Sequence, residues 1–207
     1  MNKTILLAST SPRRIEMMGW LEIPFETAKP NVDEKSIRHT SPEILTRLLA
    51  EAKAEALQKS FPDTLIIGSD AVVSFQGKIL EQPRSKDEQR EMINMQKGKV
   101  AEVYSSVCLL DTSTGEKTTI TKVTPYKMSV PTDEAIEAYI ASGSGLDKAG
   151  GYGQQDENGM FVDNIDGCYT NAIGFPLCEA GRLLEEAGVP IHVDIEEKVM
   201  SVTGRSC

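Results

Sequence analysis

The alternation of apolar and polar positions divides the chain into short strand-like and helix-like pieces. Thr4 to Ala8 is a compact apolar run that predicts a buried strand. Ser9-Thr10-Ser11-Pro12 follows, with a capping serine and a proline suited to the first helical position, and opens a helix through Met17 and Met18. Phe25 to Ala28 reads as another strand before the loop Lys29 to Glu34. Ser41-Pro42 starts a second helix, with Leu45, Leu48, Leu49, Ala52 and Ala56 spaced onto one face. Leu65 to Gly68 and Ala71 to Phe75 then flank Ser69-Asp70, which predicts a mostly buried strand interrupted by one acidic group.

Beyond Pro83 the pattern gives a helix from Lys86 to Gln96 that ends at Gly98. Two strand-like stretches follow, Val103 to Leu110 and Thr118 to Met128, joined by the turn Ser113 to Glu116 as an antiparallel hairpin. Thr132 caps a helix with Ile136, Tyr139 and Ile140 inward. Ser142 to Gly153 is glycine-rich, Met160 to Ile165 reads as a strand, and Pro176 opens a last helix stopped by Gly188 and Pro190. Because β-α units are mixed with a hairpin, the expected fold class is α/β with a mixed sheet, splayed into two lobes. Residues 1–190 are expected to form the domain and 191–207 a C-terminal strand or appended tail.

Composition narrows the function classes. At 207 residues with 40% apolar content the chain can fill a continuous core. A formal charge of −9 disfavours a nonspecific grip on long nucleic acid or anionic lipid, so an anionic ligand must be held by a local basic pocket. The four cysteines, Cys108, Cys168, Cys178 and Cys207, contain no C-x-x-C pair, and His39 and His192 lie far apart. Neither a zinc site nor a disulfide framework is expected, and a reducing cytoplasm is the natural compartment. No apolar run approaches the roughly 18 residues of a membrane span.

Candidate chemistry concentrates at a few places. Ser9 to Arg14 combines hydroxyls, helix-start N–H groups and two guanidinium groups, the ingredients of a phosphate site, although a capped surface helix with solvated arginines uses the same residues. Lys53 sits beside the apolar stripe of its helix, either with a partner or with its stem laid over apolar surface. Asp70 must be paired, bind a metal or carry a raised pKa, unless Ser69-Asp70 is a turn. Together with the loop acids Asp33-Glu34 it could form the oxygen cage that Mg²⁺ prefers, shared with substrate phosphates. Asp147 to Gln155 offers glycines for close backbone approach, the cation Lys148, a tyrosine and amides; it suits a nucleotide edge or a tight chain reversal.

Taken in order, Leu7-Ala8-Ser9-Thr10-Ser11-Pro12-Arg13-Arg14, Asp33-Glu34, Lys53-Ala54, Gly68-Ser69-Asp70, Asp147 to Gly153 and Asn171 to Leu177 resemble the Maf family of nucleoside triphosphate pyrophosphatases, over about Thr4 to Gly188. The resemblance implies an elongated α/β fold like that of inosine triphosphate pyrophosphatases, with substrate in a cleft between lobes. It also implies conversion of a nucleoside triphosphate to the monophosphate and pyrophosphate with a divalent cation, Mg²⁺ or Mn²⁺. Asp70 matches the family's catalytic proton acceptor, and Ser9, Arg13, Arg14, Glu34 and Lys53 its polar pocket. Lys148 and Gln155 join the substrate residues, and Glu34 and Asp70 are the metal ligands expected.

In members that favour dTTP and UTP, Arg13 and Gln155 have counterparts, whereas the threonine after the catalytic acid is replaced here by Ala71. Gln82 also stands where the family usually has lysine before the proline. These departures keep open two alternatives: a catalytically weakened nucleotide-binding regulator of cell division, or a pyrophosphatase acting on other or modified nucleotides. A nucleoside triphosphate is the expected partner, with no long nucleic acid and no membrane, and a homodimer stays open.

Overall fold

The computed structural model describes residues 3–153, 156 and 161–207. Its centre is a seven-stranded mixed sheet. β1 (Thr4–Leu7) lies parallel to both β2 (Glu26–Thr27) and β3 (Thr64–Phe75). β3 pairs antiparallel with β5 (Val100–Asp111), β5 with β6 (Lys117–Met128), and β6 with β7 (Val162–Ile165); the short β4 (Lys78–Leu80) returns along the end of β3. The expected hairpin is therefore present and longer at both strands than the pattern indicated. The strand expected over Phe25 to Ala28 narrows to two residues. Met160, expected to begin the last strand, lies outside the described residues.

The Ser69-Asp70 interruption does not break its strand: β3 runs unbroken through 12 residues, all but one of them buried. Side chains alternate across a sheet, so Leu65 and Ile67 face one side with Ile5 and Leu7 while Ile66, Gly68 and Asp70 face the other. On the first side pack α1 (Pro12–Gly19), α6 (Leu177–Glu186) and α7 (Ile195–Thr203), through Met17, Met18, Leu184 and Val199. On the second packs α2 (Pro42–Glu55), through Ala50 and Ala54.

Farther along the same strands a second core forms from Val73, Phe75, Val103, Tyr126 and Met128 with Ile93 of α3 (Lys86–Gln96) and Tyr139 of α4 (Asp133–Ala141). The long strands thus pass through two cores, the two lobes anticipated from the sequence, and Asp70 lies where β3 leaves one and enters the other.

Gly68 sets how closely α2 approaches. A Cβ there would lie 2.1 Å from the Ala50 carbonyl oxygen and 2.9 Å from the Ala54 nitrogen, so only a bare backbone fits under the helix. Ser41 caps α2 by accepting from the Ile44 N–H, and Pro42 occupies its first turn. The buried face is Leu45, Thr46, Leu49, Ala50, Lys53 and Ala54. Leu48 and Ala56, expected on that face, are exposed, because the contact stripe winds toward Gly68 and the small residues above it.

Two further expectations are corrected. Residues 191–207 are not a strand; they carry α7, capped by Asp194, which accepts from the Glu197 N–H, and its Val199 is fully buried. Cysteine spacing indicated no disulfide, yet Cys178 and Cys207 are bonded across 29 residues, because α6 and α7 fold back on one another. Among the described residues no helix is long and apolar enough to cross a membrane.

Gly68→Ala is expected to lower stability by about 1–3 kcal/mol in urea unfolding, since the added methyl must push α2 off β3. An unchanged midpoint would mean that α2 does not need this close approach.

Candidate functional site

Asp70 is the acid that the sequence left without a partner, and the structure supplies one. Lys53, one helical turn beyond Leu49, reaches from α2 to the same face of β3, and its Nζ lies 2.5 Å from Asp70 Oδ1. Both side chains are nearly sealed, at 8% and 11% exposure. The same ammonium stands 3.2 Å from Glu34 Oε2, at the start of the tight turn Glu34–Ser36, where Glu34 remains half exposed. One cation thus serves two carboxylates, and the Lys53 stem is not simply laid over apolar surface.

Arg14 approaches from the other side of β3. Its Nη1 donates to the Ser69 carbonyl at 2.9 Å and its Nε to the Gly174 carbonyl at 3.1 Å. Shielding from water pulls its pKa below the usual value, while the nearby Asp70 charge opposes that shift. Arg14 therefore clamps the backbone beside Asp70 to the turn after α5 (Tyr169–Ala172). This differs from the solvated arginine of a surface helix.

Ser9 accepts from the Ser11 N–H at 3.1 Å. Ser11, expected to cap α1, makes no side-chain cap bond, which leaves first-turn N–H groups available beside Ser9 and Arg13. Arg13 has no hydrogen-bond or ion-pair partner among the described residues.

These groups border one cleft of about 1220 Å³, large enough for a nucleotide. Eight basic side chains face it against five acidic ones, a local cationic surplus on a chain whose net charge is −9. At its mouth Gln82 Nε2 donates to the Asp147 carbonyl at 2.9 Å, so this residue ties two loops where a lysine would supply charge. Lys148 lies 2.8 Å from Asp147 and 3.6 Å from Asp156.

The glycine-rich segment is both a chain reversal and part of this mouth. Gly145, Gly150 and Gly151 have positive φ, and a Cβ on Gly145 would meet the Gly151 carbonyl at 2.4 Å. Gln89 and Gln96, both fully buried on α3, donate to the carbonyls of Ser144, Gly151 and Gly150 and hold the segment down. The Tyr152 hydroxyl is buried at the cleft, with no hydrogen-bond partner among the described residues.

Of the residues singled out from the sequence, Ser9, Arg13, Arg14, Glu34, Lys53, Asp70, Ala71 and Lys148 all border the cleft. Gln155 lies outside the described residues. Sequence reasoning did not single out Lys29, Lys35, Arg38 and Arg84, which border it too. Lys35 follows the acids Asp33-Glu34 directly, and that adjacency was the available signal. Arg38 and Arg84 stood as isolated charges; Arg38 pairs with Glu81 at 3.2 Å, both bordering the cleft, whereas Arg84 pairs locally with Glu88, four residues on, at 3.0 Å and stays exposed to solvent.

A mixed α/β fold with a cation-lined cleft at the junction of two cores, floored by a buried acid–lysine pair, is the architecture of a protein that takes a small polyanion. The chain belongs to the family described as Maf-like protein, whose family model matches residues 4–187. A dTTP/UTP pyrophosphatase of Bacillus cereus (strain G9842) is 36% identical over 193 residues, covering 91% of this chain and 98% of that protein. A dTTP/UTP pyrophosphatase of Deinococcus radiodurans is 37% identical over 185 residues, covering 89% and 93%. One of Clostridium botulinum (strain 657 / Type Ba4) is 38% identical over 192 residues, covering 90% and 98%. The solved structure of the Staphylococcus aureus Ham1 protein shares the fold, with a TM-score of 0.50 at 14% identity, over 89% of this chain and all of that one.

The two arginines are expected to separate in their effects. Arg14→Lys, which cannot hold both carbonyls in one planar fork, should lower the melting temperature. The loss should be on the order of 1–3 kcal/mol for the unpaired carbonyls. Arg13→Ala, with no partner to lose among the described residues, should leave the melting temperature in place. Equal melting temperatures for the two variants would contradict the clamp.

Proposed function

We propose that the chain is a nucleoside triphosphate pyrophosphatase that hydrolyses a nucleoside or deoxynucleoside triphosphate to the monophosphate and pyrophosphate, with dTTP and UTP favoured. The observation that carries this reading is Asp70, a sealed carboxylate on the floor of a cation-rich cleft, in a chain that aligns nearly end to end with enzymes named for that reaction. Residues 1–190 carry the reaction in this proposal, and 191–207 close the first core beneath it. The proposed compartment is the cytoplasm.

In this mechanism Arg13, Lys148 and the open N–H groups at the start of α1 bind the phosphates, where charge-assisted contacts in a shielded cleft are strongest. Asp70 accepts a proton from the attacking water at a carboxylate oxygen, and Lys53 orients that carboxylate through the contact to its Oδ1. Arg14 ties the Ser69 carbonyl beside Asp70 to the Gly174 carbonyl and does not reach the substrate through its bonded nitrogens. Ser9 shapes the turn that presents the α1 amides.

Glu34 and Asp70 would hold a divalent cation. Their hard carboxylate oxygens converge on one ammonium, and the described residues contain no cluster of three or more ligating side chains. That donor set fits Mg²⁺ or Mn²⁺, which bind through one or two carboxylates and share the substrate's phosphates. The cation supplies charge neutralisation on the phosphate oxygens when bound. Since Lys53 already neutralises both carboxylates, a dication competes with it for the same oxygens.

Selectivity in this proposal rests on Arg13, Ala71 and Gln155. A side-chain amide at 155 can donate and accept together, as a uracil or thymine edge requires, whereas Ala71 contributes shape alone.

Pyrophosphate release measured across nucleoside triphosphates, with Mg²⁺ and with a chelator, tests the proposal. Wild type should release pyrophosphate from dTTP and UTP in preference to CTP and GTP, and chelation should abolish release. Asp70→Asn should cost roughly 10²–10⁴-fold in kcat with the fold retained; near-normal turnover would reject Asp70 as base.

Ala71→Thr restores the hydroxyl absent here, at a position that borders the cleft. The variant should sharpen the preference for dTTP and UTP over CTP and GTP. An unchanged ranking would remove residue 71 from the selectivity argument.

A further inference from the structure

Three of the four cysteines meet at one place outside the cleft. Cys168 is the N-cap of α5, Cys178 lies in the first turn of α6, and Cys207 follows α7. Cys178 and Cys207 are bonded, and Cys168 Sγ lies 3.1 Å from Cys207 Sγ. The Thr170 hydroxyl touches two of the three sulfurs, at 3.2 Å from Cys168 and 3.3 Å from Cys207. The residues just before Cys207 are held there by contacts that do not depend on which sulfur it bonds. The Tyr169 N–H donates to the Ser206 carbonyl at 3.0 Å, and the Arg205 guanidinium sits 5.5 Å from the Tyr169 ring centroid. All three cysteines are partly exposed, within reach of a small reagent.

Cys108 provides the contrast. It is fully buried in the sheet, and burial pushes its thiol up to about 11, so it stays protonated and unreactive.

We propose that Cys168, Cys178 and Cys207 form a thiol–disulfide exchange site, with Cys207 shared between two partners and a low-molecular-weight thiol or disulfide as the reagent that sets its state. In the exchange step Cys168 gives its proton to solvent and the thiolate attacks Cys207 Sγ. The Cys168–Cys207 bond forms, the Cys178–Cys207 bond breaks, and Cys178 leaves with the electron pair and takes up a proton. No outside oxidant enters this step. Full opening consumes two molecules of a small thiol, which leave joined as their disulfide while the two protein sulfurs leave as thiols. The Thr170 O–H is placed to donate to a developing thiolate on Cys168 or Cys207.

The two pairings fasten the chain differently. Cys178–Cys207 ties the segment after α7 to α6. Cys168–Cys207 ties it to the head of α5, which leads directly into Ala172, Ile173 and Gly174 on the cleft wall. Asn171 anchors α5 between these ends: its carbonyl accepts from Ser105 Oγ and its Nδ2 donates to Thr124 Oγ1. The site is thus placed to alter the stiffness of the wall that carries the Gly174 carbonyl held by Arg14.

The test is disulfide mapping. The full-length protein is equilibrated with oxidised and reduced glutathione, quenched with N-ethylmaleimide, digested and read by mass spectrometry. Wild type should yield both the Cys178–Cys207 and the Cys168–Cys207 linked peptides. Cys178→Ser should yield the second alone and Cys168→Ser the first alone, and each variant should lose two alkylatable thiols on oxidation. Cys207→Ser should leave both remaining thiols of the cluster alkylatable, and Cys108 should react only after denaturation. Serine preserves the cap at 168, and melting curves under reducing agent check that each variant folds.

A Cys178→Ser protein that keeps Cys168 and Cys207 as thiols, while Cys168→Ser forms its bond, would overturn the exchange and leave a fixed staple. A Cys168–Cys178 link in Cys207→Ser would overturn the shared role of Cys207. Amide hydrogen exchange on the two oxidised variants reads the coupling. Slower exchange across residues 169–174 in the Cys168–Cys207 form is expected, and equal exchange rejects any influence on the cleft wall. None of these readouts uses turnover, so they stand or fall apart from the pyrophosphatase proposal.

Discussion

The contact between Lys53 and Asp70 constrains more of this molecule than any other. Each charge is nearly sealed from water, and removing one partner of such a pair typically costs about 3–5 kcal/mol because the other is left uncompensated. The pair therefore fixes where α2 may lie on the sheet, and the sheet in turn must present Asp70 on the α2 face. Strand alternation provides that presentation, since Ile66, Gly68 and Asp70 share one side. Gly68 provides the closeness, since any side chain there would collide with the α2 backbone. Acid, lysine and glycine form one geometric statement, although they come from distant parts of the chain.

The position of the pair explains the cleft. β3, β5 and β6 are each 12 residues long and pass through two separate apolar cores. Between those cores the sheet carries polar groups, and the surrounding loops diverge to form a cavity. Into it turn the helix start of α1, the acid-bearing loop before α2 and the glycine segment pinned by Gln89 and Gln96. An acidic chain thereby builds a pocket with a surplus of cations. Much of that surplus is already tied to neighbouring carboxylates, whereas Arg13, Lys29 and Lys35 have no hydrogen-bond or ion-pair partner among the described residues. Arg14, by contrast, uses its fork on backbone carbonyls and stiffens the frame around Asp70.

Local pattern determined a large share of this on its own. Helix starts with proline and serine, the periodicity of α2 and α3, the hairpin of β5 and β6, and the anomaly of an acid inside an apolar run are all properties of adjacent residues, readable because they depend on spacings of two to four positions. The ordered motifs from Ser9 to Leu177 pointed to the Maf family, and every singled-out site residue within the described part of the chain borders the cleft. What tertiary structure alone decided involves pairs remote in sequence. Lys53 was ambiguous between a snorkelling stem and an ion-paired partner, because only the crossing of α2 over β3 brings Asp70 within 2.5 Å. Arg14 looked equivalent to Arg13 until the turn after α5 arrived with a carbonyl for it. The helix in residues 191–207 and the meeting of Cys168, Cys178 and Cys207 depend on α6 and α7 folding back over the first core, a packing choice that no local spacing encodes.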